Sequence, residues 1–155
     1  MQRIEKIAVL FGRSKGRVIT MSESAQHLQL VNLIIDEVVG MVGEANRCFV
    51  MSDAADGYAL SPLTEEGYRP DVYYQYQNQL IIGEAKTSDD VARVHSKMQY
   101  ESYLKKCSLF NGQAVFLAAV PWTEHATIHN ILRKLRQKYP GIYEVRIIDG
   151  IGGAI

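Results

Sequence analysis

The chain has 155 residues, 47% apolar and 22% charged, a composition that suits one globular domain over 1–155 with a substantial core and gives no sign of disorder. Seventeen basic residues balance seventeen acidic ones, so any nucleic-acid contact has to come from local patches and not from a global positive field. No apolar run reaches the roughly 18 residues a membrane helix needs, and Arg3, Glu5 and Lys6 interrupt the region where a signal-peptide core would lie, so a cytoplasmic protein with no membrane partner is expected.

Residues 4–11 are apolar enough for a short strand or a helical turn, and Gly12 and Gly16 flank a loop carrying Arg13, Lys15 and Arg17. Those cations suit either phosphate contact or a solvated turn, and the glycine spacing is not that of a phosphate-binding loop. From Ser22 the apolar period becomes helical. Leu28, Val31, Ile35, Val38 and Val42 form one stripe with Ile34 beside it, which predicts a helix over 22–41 with Ser22 as N-cap. Glu23 and His27 lie at the margin of that stripe, Glu37 points further away, and Asp36 lies nearly opposite. Glu23 thus has access to whatever packs beneath the helix, and as a first-turn acid it equally complements the helix dipole.

Residues 47–51 read as a short strand and 52–67 as a long loop, a length that is uncommon in a compact domain and often functional. Its Asp53-Ala54-Ala55-Asp56-Gly57 piece lacks the further ligand positions of a calcium loop. Two strands follow, 68–76 and 79–85, with Gln77-Asn78 as a two-residue hairpin turn. On the first, Asp71, Tyr73 and Gln75 face one way and Val72, Tyr74 and Tyr76 the other, while Pro70 is restricted to the strand start or an edge. Thr87-Ser88-Asp89-Asp90 resembles a capping box opening a helix to about 106. Asn111-Gly112 turns the chain into 113–120, a nearly continuous apolar run typical of a central strand. Thr123 is placed to cap a helix with apolar Ile128, Ile131, Leu132 and Leu135, which Pro140-Gly141 stops. A strand over 143–148 and a tail over 150–155 complete the chain. Cys48 and Cys107 belong to no paired motif and read as two small buried hydrophobes. This order predicts an α/β domain, a mixed sheet with helices on both faces.

The chemistry concentrates in the hairpin. Glu84 and Lys86 are two apart in a strand and share a face, and Asp71 on the partner strand adds a second carboxylate. Such a cluster is costly to desolvate and becomes favourable when a divalent cation sits between the carboxylates. Other candidates are weaker. His125 and His129 lie four apart on a helix without the intervening glutamate of a zinc protease or a third ligand, and they read as surface histidines. Arg133, Lys134, Arg136 and Lys138 form a basic helix end of the kind the dipole favours in solvent. Tyr73, Tyr74 and Tyr76 suit sheet packing more readily than base stacking.

Pro70-Asp71, then twelve intervening residues, then Glu84-Ala85-Lys86, together with the element order over roughly 22–120, resembles the PD-(D/E)XK nuclease superfamily. Gln99 and Tyr103, four apart on the following helix, resemble the Gln-x-x-x-Tyr motif of its RecB-like members. The resemblance implies a restriction endonuclease-like αβββαβ core and a deoxyribonuclease dependent on Mg²⁺ or Mn²⁺. It further implies Asp71, Glu84 and the Ala85 carbonyl as metal ligands, with Glu23 completing the set and Glu37 as its competitor. Lys86 would be catalytic, and Gln99 and Tyr103 would lie close to the metal and the DNA. With no separate recognition domain, a structure-selective or partner-directed nuclease of repair, recombination or mobile-element DNA processing is expected over a sequence-specific restriction enzyme. A homodimer would supply two active sites for two strands. Two other readings compete: a module that keeps this fold and holds DNA or a protein without cutting, and a chance motif in an unrelated α/β domain. Mutually repelling carboxylates count against the first, and the added Gln99 and Tyr103 against the second.

Overall fold

A computed structural model describes residues 8–10, 19–21 and 23–149, with side chains described from 24 onward. The expectations for Arg13, Lys15 and Arg17, for Ser22 as a cap, for the Glu23 side chain and for the 150–155 tail lie outside the described residues. A short antiparallel ribbon comes first, β1 (Ala8–Leu10) against β2 (Ile19–Met21). Of the two alternatives for the first apolar segment, strand is therefore the one adopted over 8–10.

Helix α1 (Glu23–Val42) follows, then β3 (Val50–Met51), β4 (Val72–Tyr76), β5 (Gln79–Ala85), α2 (Val94–Leu109), β6 (Gln113–Ala119), α3 (His125–Lys138) and β7 (Glu144–Ile148). The last five strands form one sheet in the order β3-β4-β5-β6-β7, antiparallel from β3 to β5 and parallel from β5 to β7. The α/β class and the mixed five-stranded sheet flanked by helices thus agree with expectation. Among the described residues no helix is long and apolar enough to cross a membrane.

Each face of the sheet has its own core. Val31, Ile34, Ile35 and Val38 of α1 pack on Val72, Tyr74, Ile81 and Leu117. On the other face Tyr100, Tyr103 and Leu104 of α2 and Ile128 and Leu132 of α3 cover Leu80, Ile82 and Phe116. Strands covered on both faces need apolar residues at both parities, which is why 113–120 reads as an unbroken apolar run. Helix α1 approaches β5 closely because residue 83 is glycine: a Cβ there would collide with Ile34 Cγ2.

Several local expectations are corrected. Residues 44–49 form a 3₁₀ helix and only Val50 and Met51 pair as a strand. Gly43, at φ 90°, ends α1, and Arg47 then turns back onto Glu44 (Nε to Oε1, 2.6 Å) and donates to the Tyr58 hydroxyl at 3.0 Å. Cys48, on that turn, is exposed, whereas Cys107 is buried as expected. The first hairpin strand starts at Val72 and not at 68, since Pro70 has no N–H and that of Asp71 is taken by a side chain. The Thr87 segment is a turn and not a helix cap: the Thr87 carbonyl accepts from the N–H groups of Asp90 and Val91, Arg93 is extended, and α2 opens only at Val94. Trp122–Glu124 forms a 3₁₀ turn, so α3 opens after Glu124 and not on Thr123. The final strand begins one residue late, at Glu144. Leu28, assigned to the buried stripe, is 40% exposed.

Candidate active site

The hairpin register builds the site. Val72 pairs with Gly83, so the next residue outward on each strand places Asp71 across from Glu84. Leu80 and Ile82, which share the parity of Glu84, pack beneath α2, so Glu84 and Lys86 face that helix. Cross-strand hydrogen bonds lock the two acids together. The Asp71 N–H donates to Glu84 Oε2 at 3.2 Å, and the Ala85 N–H donates to Asp71 Oδ2 at 2.8 Å. In an extended strand the N–H and C=O of one residue share a side, so the Ala85 carbonyl faces the same end of the hairpin as Asp71.

Lys86 Nζ lies 2.9 Å from Glu84 Oε1 and donates to Gln99 Oε1 at 2.6 Å. Gln99 is thereby the anchor that fixes the ammonium, while its own helix is held over the strand by Tyr100 and Tyr103. Glu84 is 3% exposed. Burial first, and the Asp71 charge second, push its carboxyl up to about 8, with Lys86 acting in the opposite direction. The Tyr103 hydroxyl is buried without a hydrogen-bond partner, and its acidity is suppressed by burial and by the charges of Glu84 and Asp71. The ring is fully buried against Phe116, so Tyr103 is a wall of the site and not an exposed contact.

Two groups enter the site without having been assigned to it. His27 Nε2 lies 3.1 Å from Asp71 Oδ2, and since a carboxylate only accepts, Nε2 carries the proton. That hydrogen bond raises the imidazole pKa against the opposing effect of burial. Asp53 is the second: burial and then the Asp71 charge raise its pKa, and Arg69 Nε approaches it at 3.8 Å. The adjoining Ser52 hydroxyl donates to the Asp71 carbonyl at 2.6 Å, so part of the long loop braces the hairpin. The available sequence signal for His27 was its place one turn after Glu23 at the margin of the same helix stripe.

The remaining predicted positions separate from this cluster. Glu37 is bound to Arg146 on β7, nearly three turns down α1 from His27, so it does not compete for the site. Glu23 opens α1 one turn before His27. Tyr73 and Tyr74 are core residues, and Tyr76 stacks on Phe49 at 4.1 Å beside the hairpin turn, far from Asp71. His125 and His129 stack at 6.3 Å, with His125 Nδ1 3.9 Å from Asp149. Lys138 pairs with Glu101, and Arg136 reaches the Ile142 carbonyl, which uses the basic end of α3 to tie it to its surroundings.

The donor set suits a hard cation. Two carboxylates and a backbone carbonyl are oxygen ligands, and a buried carboxyl that resists ionising beside a second acid gains most from a neighbouring positive charge. Among the described side chains no group of three or more His, Cys, Asp or Glu residues is arranged to hold a metal ion. No family model, curated protein or solved structure matches the chain.

Proposed function

We propose that this protein is a metal-dependent deoxyribonuclease of the PD-(D/E)XK type with a restriction endonuclease-like core. The observation that carries the reading is the convergence of Asp71, Glu84, Lys86 and Gln99 at one end of the sheet, in the order and spacing of that superfamily's motifs. Asp71, Glu84 and the Ala85 carbonyl would hold Mg²⁺ or Mn²⁺, and the resemblance adds Glu23 of α1 to them. Bound there, the cation supplies an activated water and charge stabilisation for the leaving oxygen.

The chain's own residues do the rest. In hydrolysis one P–O bond forms to water and one P–O ester bond breaks, and negative charge builds on the phosphoryl oxygens and the leaving oxygen. Lys86, held between Glu84 and Gln99, presents a fixed ammonium to that charge. His27 and the Ala85 N–H both bind Asp71 Oδ2, which sets the orientation of the carboxylate and leaves its other oxygen for a cation. Tyr103 and the α2 core exclude water from the back of Glu84, keeping its interactions strong. DNA as the phosphodiester follows from the motif resemblance, and selectivity for structure or through a partner follows from the balanced net charge.

Labelled linear, single-stranded, flap and four-way-junction DNA incubated with Mg²⁺ or Mn²⁺ tests this. Cleavage is expected with metal, absent with chelator, and reduced at least about a hundredfold in Lys86→Ala and Asp71→Ala. Cleavage undiminished in both variants refutes the site; binding without cleavage by the wild type shifts the reading to a module that holds DNA.

A further inference from the structure

The two edges of the sheet are protected very differently. At one edge β3 has only two residues, and Met51 bridges to Ala59 of the following loop. At the other, β7 has five residues with no proline, lysine or bulge; its two charges, Glu144 and Arg146, bond to each other within the chain at 2.8 Å, and Arg146 also bonds Glu37 of α1. Among the described residues no strand pairs with its outer side.

The hydrogen-bond parity of β7 is readable. The Val120 N–H donates to the Ile148 carbonyl, so Glu144, Arg146 and Ile148 direct their backbone groups to β6. Val145 and Ile147 therefore direct theirs outward. We infer that this edge binds a second copy of the chain, β7 against β7 antiparallel about a two-fold axis through Val145. In that register the two Val145 residues face each other as a pair exchanging both backbone hydrogen bonds. Glu144 of each copy then falls opposite Arg146 of the other in the closer, non-hydrogen-bonded type of pair, and Tyr143, 63% exposed in one copy, falls opposite Ile147. Moving the axis to Arg146 keeps the backbone parity but sets two guanidinium groups against each other, so charge selects the first register.

The contact is isologous and joins the two five-stranded sheets into one of ten strands. Because the axis is normal to the sheet, it sends the Asp71–Glu84 ends in opposite directions. The dimer thus carries two sites that work apart, in contrast to the pairing of sites on one duplex expected of a dimer that cuts both strands.

Sedimentation of the full chain tests the inference. The wild type is expected to sediment at twice its 17.4 kDa. Glu144→Arg and Arg146→Glu each place like charges across the axis and should weaken the dimer about tenfold or more, whereas mixing the two variants restores opposite charges and recovers a heterodimer. Hydrogen exchange on the wild type gives a second reading free of any folding defect: Val145 and Ile147 amides should gain protection with rising protein concentration, and that of Arg146, already bound to β6, should not. A monomeric wild type, single variants that dimerise like the wild type, failure of the mixture, or concentration-independent exchange at Val145 and Ile147 overturns the proposal.

Discussion

At the residue scale the site depends on which group holds which. Lys86 is positioned by one acid and one amide, and the amide is the easier to remove without disturbing the core. Gln99→Ala deletes a hydrogen bond to a charged group, worth about 1.5–3 kcal/mol, and should lower kcat about 10- to 100-fold with little change in Tm; Gln99→Glu, which keeps an acceptor for the ammonium, should restore part of the rate. His27 acts through Asp71, so His27→Gln, which retains a donor, should keep more activity than His27→Phe when both are assayed at saturating metal. Asp71, Glu84 and Lys86 were legible in the sequence because strand periodicity converts their spacing directly into a shared face. His27 and Asp53 were not, because each reaches Asp71 from an element whose placement depends on the packing of α1 and of the long loop.

At the element scale the closest fit is between α1 and β5. Gly83→Ala would drive a methyl group into Ile34 and should destabilise the fold by about 1–3 kcal/mol in denaturant titration, at a position that touches no substrate. The same helix supplies an internal control. Ile34→Ala should cost about 2–5 kcal/mol, whereas Leu28→Ala, at an exposed position, should stay within roughly 0.5 kcal/mol. Periodicity placed α1, both hairpin strands, β6 and α3 within a few residues because each has a long repeating apolar pattern. It failed at 44–51 and at 87–93, where two competing local structures use the same residue types. The Glu44–Arg47 contact favours a 3₁₀ turn, and the Thr87 carbonyl closes a turn before a helix can start.

At the scale of the whole molecule, burial of Glu84 couples stability to pH. In the folded protein its carboxyl sits near 8 against an ordinary 4.5, so its contribution is fully present below about pH 4.5 and is lost as the pH rises through 8. With chelator present, Tm should fall across that window, and Glu84→Gln should flatten the slope; melts in which both proteins follow the same pH curve would remove Glu84 as the cause. Added Mg²⁺ should raise Tm most at the alkaline end, because an ion that binds only the folded state stabilises it by mass action.

The α/β class, the order of the principal elements, the separate apolar faces and the line of Asp71, Glu84 and Lys86 all follow from periods of 2 and 3.6 residues acting within one segment, so they are written in the amino-acid order. Long-range packing sets the rest: Asp71 is clasped by His27, Glu37 is spent on Arg146, Tyr103 is sealed in the core, and β7 is the edge strand among the described residues. Those facts join residues dozens of positions apart. They depend on strand register and on how closely α1 packs over Gly83, and no local pattern encodes either.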